Sequence, residues 1–497
     1  MSSIRKQTII SSLLVYIGFL IGALNMYFYT KNGSFSPDQF GLTRIFFDFG
    51  QIIYIFSSFG VIPVIYKFYP YYKDNLAEHE IDLMTWAVVV ALIGFSLALL
   101  AGWYFEPLFI RKYSAKSKLI VDYYHLMFPF ALGMLLFSLF EAFAWAIKKA
   151  IVANFLKETV LRVITTLFIL LYYFKIINFN TFITLFSTLF FSIFIILIIF
   201  LKKNNQLHLC FKVSRVTKKF RKKMIRMQFF LSGGNIINSI SQTIDGFLIA
   251  GFQNLAAVGV FTLSQYAANL IQVPQRSIQS ISVGYLSQAW KDKNYKEINR
   301  IYTRSCINLL LLGLFIFGNV WLNAKHGMEV LNLQKEYAAG LSVILIVGFA
   351  RIIDAGTGVN GFVIGTSTFW KFDFLSGVIL LSFRLPLTWI LIKHYGIIGS
   401  ATAELISLSV YNFIRFEFIR RKFNMQPFNA KTLYAILLCI VAYALSYFLW
   451  NGIQGWIGII LRSCIFSLIL IGGTIVFKIS PDATQLFNNA KLKWINK

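Results

Sequence analysis

The chain has 497 residues, 57% of them hydrophobic and 13% charged, with 47 Lys and Arg against 20 Asp and Glu and a formal net charge of +27. A soluble globular chain carries about 25% charged residues, so this composition, with a mean hydropathy of +0.67, excludes an ordinary soluble protein. The short alternating segments of a membrane barrel are missing as well. Nucleic acid is not the expected partner of the positive charge, because that charge follows membrane topology.

Apolar runs long enough to cross a hydrocarbon core of roughly 30 Å recur from end to end, and helices satisfy their backbone in lipid. Taken in chain order, spans are expected at 9–30, 38–66, 82–105, 119–146, 150–174, 180–201, 228–252, 256–288, 303–324, 336–364, 372–393, 396–418, 431–450 and 456–477. The first run has no small-residue cleavage site behind it and reads as a span, not a signal. The expected fold is thus an all-α polytopic membrane protein with about fourteen transmembrane helices. If the N-terminus is cytoplasmic, the loops and termini on that side hold 31 Lys and Arg and the opposite loops hold 9. That bias places both termini on the cytoplasmic side.

The longest linker, 202–227, carries ten of those basic residues. Val213, Val216, Phe220 and Met224 recur at helical spacing opposite them. The pattern fits an interfacial amphipathic helix on anionic lipid, or a solvated basic linker that only enforces topology.

The segments on either side of this linker resemble each other. Ile4-Arg5-Lys6-Gln7 is echoed by Ile225-Arg226-Met227-Gln228, Phe40-Gly41-Leu42 by Val258-Gly259-Val260, and Lys73-Asp74 by Lys291-Asp292. Six helices per half preserve orientation, so the expected relation is a parallel pseudo-two-fold repeat. The domain reading is a six-helix lobe at 1–201, the basic linker at 202–227, a second six-helix lobe at 228–418, two added spans within 431–477 and a cytoplasmic tail at 478–497.

Charges inside spans are costly and are usually paired or functional. Arg44 and Asp48, Glu158 and Arg162 (with Lys157 adjacent), and Arg351 and Asp354 are spaced to pair on one helix face. Each set is either a structural ion pair or a cation whose carboxylate partner yields to an anionic substrate. Arg276, within Gln272-Val273-Pro274-Gln275-Arg276, has no acid within four residues and is the leading candidate for a phosphate contact. Asp245 is the leading unpaired acid: a partner for Arg276, a cation or proton site, or a packed group. Arg384, Glu404 and Arg462 stand alone in the sequence and are free to pair across helices, and Asn25, Asn235, Asn238, Gln242 and Asn360 add polar groups. Cys210, Cys306, Cys439 and Cys464 have no metal or disulfide spacing. Glu80-x-Asp82 is an acidic pair of the kind with which membrane glycosyltransferases hold a metal. It falls on the cytoplasmic edge, there is no large outer loop and no phosphate-binding loop, so no catalytic residue, metal or cofactor is expected.

Two further stretches carry a resemblance. Asp245-Gly-Phe-Leu-Ile-Ala-Gly251, Ala257-Val-Gly-Val-Phe-Thr-Leu-Ser-Gln265 and Asn269-Leu-Ile-Gln-Val-Pro274 resemble the span 7–8 signature of Wzx-type oligosaccharide flippases, of the multidrug/oligosaccharidyl-lipid/polysaccharide exporter superfamily. Gly246 stands where that pattern usually has a basic residue. Arg351-Ile-Ile-Asp-Ala-Gly-Thr-Gly-Val-Asn-Gly361, Ile364-Gly-Thr-Ser367, Tyr395-Gly-Ile-Ile-Gly-Ser-Ala401 and Tyr411-Asn-Phe-Ile-Arg415 resemble lipopolysaccharide-biosynthesis flippases of Bacteroidetes type. The resemblance implies two lobes around a cationic cavity that carries a glycan on undecaprenyl diphosphate from the inner to the outer leaflet by alternating access. It points to Arg44, Arg276 and Arg351 as diphosphate contacts, then Lys157 and Arg162, with Asp245, Asp48, Asp354 and Glu158 as charge partners or Na+ or H+ sites. A glycan polymerase or ligase is an expected partner. A multidrug exporter of the same superfamily, or a membrane glycan polymerase or transferase, are the alternative readings.

Overall fold

The computed structural model describes residues 17–208, 210–450 and 452–495. The opening of the first expected span, the Ile4–Gln7 echo and the side chains of Asn235 and Asn238 lie outside the described residues. Every regular element described is a helix, and the chain forms two compact units, 1–259 and 260–497.

The first unit holds α1 (Ile17–Thr30), α2 (Pro37–Ser58), α3 (Val61–Asn75), α4 (Leu83–Tyr113), α5 (Lys118–Asp122), α6 (Met127–Ala146), α7 (Ala150–Phe155), α8 (Leu161–Tyr173), α9 (Phe179–Ser187), α10 (Leu189–Lys203), α11 (Arg215–Phe252) and the start of α12 (Leu255–Ala268). α2 begins at a capping box. Ser36 accepts from the Gln39 N–H, the Gln39 side chain accepts from the Ser36 N–H, and Pro37 stands where its missing N–H costs nothing. α2 packs on α4, α6 and α11. Its core is a ladder of phenylalanines: Phe46 against Phe130 at 5.8 Å, Phe130 stacked on Phe186 at 5.5 Å, and Phe186 on Phe182 at 5.8 Å. Large flat rings in offset and edge-to-face contact supply dispersion where lipid gives no hydrophobic drive between helices.

α2 does not run on as one straight helix. Phe59 and Gly60 both take left-handed backbone, with φ of 44° and 70°, and α3 leaves at 49° to α2. Gly60 sits against the Gln228 carbonyl of α11, so this elbow requires a residue with neither a Cβ nor a penalty at positive φ.

The expected linker helix is present in a different setting. It is the first part of α11, continuous with the seventh expected span, and starts at Ser214, whose side chain accepts from the Thr217 N–H. Its apolar face (Val216, Phe220 and Met224) packs on Val64, Phe68, Tyr72, Ile81 and Leu83 of α3 and the start of α4, not on lipid. Asp82 explains the docking. It is fully buried and accepts from the Ser214 N–H at 2.9 Å and from the Thr217 hydroxyl at 2.8 Å. A carboxylate at a helix N-terminus complements the orphan N–H groups and the helix dipole. The acidic pair considered for a metal is thus half structural: Asp82 anchors α11, and Glu80 is exposed.

Two glycines mark the tightest crossing in this unit. A Cβ on Gly41 would collide with the Leu255 carbonyl, and one on Gly259 with the Pro37 carbonyl. The Asp38 carboxylate accepts from the Ala256 N–H at 2.9 Å. Positions 37, 38 and 41 stand opposite 255, 256 and 259, so the contact is reciprocal at one constant sequence offset, as in a self-complementary interface.

The second unit continues with α13 (Gln272–Lys291), α14 (Tyr295–Val330), α15 (Leu341–Gly356), α16 (Asn360–Gly365), α17 (Trp370–Phe423), α18 (Ala430–Trp450), α19 (Gly455–Val476) and α20 (Pro481–Ile495). α14 is its spine and packs on α13, α15, α18 and α19. The two spans expected at 372–393 and 396–418 form one hydrogen-bonded run, α17, kinked at Gly396 with φ 58° and ψ −135°. Arg462, fully buried in α19, donates to Asn323 of α14 at 3.1 Å and to the Ile453 carbonyl at 3.0 Å.

Among the described residues, eight helices are long and apolar enough to cross a membrane, and a ninth if α2 and α3 count as one span. Other expected spans fall short of that test for identifiable reasons. The stretch 150–173 is split by a π-turn at Leu156–Val160, and α13 carries four Gln and an Arg.

Removing the α11 anchor is expected to loosen the basic segment. Asp82→Ala removes the charged acceptor of the partly buried Ser214 N–H and Thr217 hydroxyl, hydrogen bonds of about 1.5–3 kcal/mol each. It should speed trypsin cleavage between Arg215 and Arg226 in the purified protein; cleavage at the wild-type rate contradicts this.

Candidate functional site

Ionisable side chains inside the first unit gather in two places. On α2, Arg44 and Asp48 pair at 3.0 Å as the i,i+4 spacing requires, the guanidinium half-exposed and the carboxylate buried. α11 lies against them. Asp245 is buried and close enough for its charge to act on Asp48. A Cβ at 246 would stand against an Asp48 carboxylate oxygen, which is why glycine occupies this position. Gly246, the departure from the flippase pattern, makes room for Asp48. The cluster combines two buried carboxylates with one guanidinium that reaches open space.

The second gathering is built on a π-turn. Leu156–Val160 inserts this wider turn between α7 and α8, a feature often found where a helix has been re-aimed for function. Glu158 and Arg162 pair at 2.9 Å as expected. Lys157 is aimed elsewhere: it meets Glu141 of α6 at 2.9 and 3.1 Å. Glu141 was missed in the sequence reading. Its signal was a single acid in the run Leu139-Phe140-Glu141-Ala142-Phe143, where an unpaired carboxylate would be costly. Asn25 of α1 donates to the Arg162 carbonyl at 3.0 Å and accepts from Thr166 at 2.6 Å.

In the second unit the pairing expected for Arg351 is corrected. Arg351 does not pair with Asp354. Its guanidinium donates to Glu404 of α17 at 2.6 Å and to Asn269 at 2.7 Å. Arg384 approaches the same Glu404 oxygen at 3.8 Å. All three charges are buried, because α15 and α17 pack closely and the interhelix partner is nearer than the one on the same helix. Asp354 is solvated instead by neutral amides, Gln275 at 2.8 Å and Asn412 at 3.0 Å, and Asn412 accepts from Thr357 and Asn360 at 2.9 Å. Arg415 pairs closely with Asp373 within α17.

Arg276 stands apart from all of these. It is exposed on α13, and its one contact among the described residues is a long 3.5 Å approach to Gln272. No carboxylate among the described residues lies within ion-pair distance of it. The sequence-derived cations therefore divide by availability. Arg44, Lys157 and Arg162 are partly exposed with one carboxylate each, Arg276 is exposed without one, and Arg351 is sealed into a buried network. No group of three or more His, Cys, Asp or Glu that could hold a metal occurs among the described residues.

The Glu404 network gives a direct stability test. Glu404→Gln leaves two buried guanidinium groups facing a neutral amide, a loss of about 3–5 kcal/mol by the usual cost of breaking a buried pair. Thermal unfolding of the purified variant should fall well below wild type, whereas Glu158→Gln, half-exposed, should change it little. Equal effects would contradict the difference in burial.

Residues 4–290 match the model of the family described as polysaccharide biosynthesis protein. A sequence search of curated proteins gives no match. Among solved structures the fold is similar to the lipid II flippase MurJ in an inward closed conformation, with a TM-score of 0.75 at 13% identity over 94% of this chain and 98% of that one. It is also similar to an inward-facing multidrug resistance MATE family transporter of the MOP superfamily, with a TM-score of 0.63 at 14% identity over 83% and 98% of the two chains. A MATE transporter in complex with MaL6 follows at 0.56 and 15% identity, over 84% and 96%. At these identities the likeness is one of fold.

Proposed function

Because the chain belongs to the polysaccharide biosynthesis protein family, we propose that it carries an undecaprenyl-diphosphate-linked oligosaccharide from the inner to the outer leaflet of a bacterial cytoplasmic membrane. It would do so by alternating access through a cationic path, in the service of surface polysaccharide or lipopolysaccharide synthesis. The chain is a multi-pass membrane protein of a superfamily of flippases and transporters. The finer reading places about fourteen spans in two parallel six-helix lobes with both termini cytoplasmic. The reciprocal contact of 37–41 with 255–259 supports that repeat, since residues at one constant sequence offset meet there.

The observation that carries the substrate assignment is the state of the cations. Arg276 offers an exposed guanidinium with no resident carboxylate among the described residues. Arg44 and Lys157 are partly exposed and each keeps one acid that an incoming diphosphate can displace. A guanidinium fork matches two phosphate oxygens at once. Arg351 is reassigned from direct contact to holding α15 against α17, since its donors are committed to Glu404 and Asn269. A multidrug exporter for organic cations would need exposed acids in the path. The acids found beside these cations are instead buried or ion-paired, which favours the anionic lipid.

Two tests follow. Arg276→Ala should abolish surface glycan in cells while the protein inserts at wild-type abundance; normal glycan at that abundance removes Arg276 from the site. Coupling to a proton or Na+ is assigned to Asp48 and Asp245, two buried carboxylates close enough for their charges to interact. In proteoliposomes, transport by Asp245→Asn should lose its dependence on pH and sodium gradients. If wild-type transport ignores both gradients, this assignment fails.

A further inference from the structure

The α2–α3 elbow encloses a cavity that none of the charged groups explains. Its volume is about 320 Å3, and it lies between α2, α3 and α11. Ligand pockets run from roughly 300 to 1,000 Å3, so it admits a small ring system, not a chain. The walls are uncharged and mix polar groups (Gln51, Tyr54 and Tyr66 on one side, Ser232, Ser239 and Gln242 on the other) with the apolar Ile55, Ile62 and Pro63.

Three features define what it accepts. Ser239 is buried, and its hydroxyl has no hydrogen-bond partner among the described residues. A buried hydroxyl needs a partner, and Ser239 is among the residues that line the cavity. Ser58 and Ser232 have spent their protons on their own helices, donating to the Ile55 carbonyl at 2.9 Å and the Gln228 carbonyl at 2.5 Å. Their lone pairs are left to accept, while the Gln51 amide adds both a donor and an acceptor. Tyr66 presents an exposed ring, continued by Trp145 at 6.0 Å between centroids and 31° between planes.

We propose that this cavity is a saccharide subsite, holding one sugar unit of the transported glycan by its hydroxyl groups and by one apolar ring face. The proposal rests on the lipid-linked glycan reading above and adds to it a location and a chemistry. Sugar hydroxyls act as donor and acceptor alike, which matches a lining that mixes both without charge. A ring face of C–H bonds covers tyrosine without requiring an acid. An organic cation would want a carboxylate in the wall, and the nearby acid, Glu141, is already held by Lys157. A polyprenyl chain would strand the serine and glutamine groups without partners. A diphosphate would find no cation among the lining residues. The position also suits a moving substrate: the wall is made by the elbow itself, so a change of the angle between α2 and α3 opens or closes the subsite.

The experiment uses the full chain in lipid nanodiscs and reads saturation-transfer NMR on the methyl glycosides of glucose, galactose and N-acetylglucosamine. At least one of these should receive saturation on its ring protons. In Ser239→Leu, which fills the cavity, and in Gln51→Met, which keeps its shape and removes its amide, binding should fall about tenfold, the loss expected for roughly 1.4 kcal/mol of contact. Pyrophosphate and ethidium should not displace the glycoside. No saturation of any glycoside by wild type, retained binding in both variants, or displacement by pyrophosphate or by ethidium each overturns the subsite. Reconstituted transport separates the two readings. If wild type moves glycan-bearing lipid and both variants move it equally fast, the subsite is wrong and the carrier reading stands. If the glycoside signal behaves as expected and wild type moves no such lipid, the carrier reading fails and the saccharide site remains.

Discussion

A guanidinium or ammonium group inside a hydrocarbon layer must be solvated by the protein, because nothing else there can do it. That requirement accounts for much of how the charged helices are arranged. α15 and α17 are held together where Arg351 and Arg384 converge on Glu404. α6 is tied to the π-turn because Lys157 finds Glu141 there. α2 brings its own acid for Arg44 and places it against α11. Where the guanidinium is buried among protein partners, as at Arg351 and Arg462, the charge becomes part of the frame. Where the group is only partly buried, as at Arg44 and Lys157, or lacks a carboxylate among the described residues, as at Arg276, the charge is left to act on something that enters from outside.

The same division separates structural from functional acids. Asp82 is buried at the start of α11 and serves the backbone of one helix. Asp354 is solvated by amides and locks α13, α15 and α17 together without a cation. Asp48 and Asp245 share a small volume, and Gly246 keeps that volume open. A residue with a side chain at 246 would push the two helices apart or displace the Asp48 carboxylate. A family pattern is altered here at the point where a second acid takes the space.

Much of this was legible in the sequence. Apolar runs mark helices because a backbone in lipid has no other way to satisfy itself, so most expected spans correspond to helical stretches. Same-helix pairs were also legible, since Arg44–Asp48 and Glu158–Arg162 follow from helical spacing alone. Three things were not. The partner of Arg351 lies 53 positions away, and spacing says nothing about which helices are neighbours. The π-turn re-aims Lys157 by a change of hydrogen-bond register that leaves no mark on composition. The apolar face of the basic linker segment was visible as a stripe, but whether lipid or α3 covers it depends on how α11 continues, which the stripe does not encode. The elbow cavity was hidden for a related reason: glutamines, serines and tyrosines scattered over three helices look like tolerated polarity until the bend at Gly60 brings them together.

The central claim is that this cationic path moves a diphosphate-linked glycan between leaflets. It is tested most directly by reconstituting the purified chain into vesicles loaded with a fluorescent undecaprenyl-diphosphate oligosaccharide and measuring the fraction that becomes accessible to a membrane-impermeant quencher. The account predicts that wild-type protein speeds the crossing over empty vesicles, and that an organic cation substrate is neither moved nor competitive. Crossing at the rate of empty vesicles, together with movement of the organic cation, would contradict it.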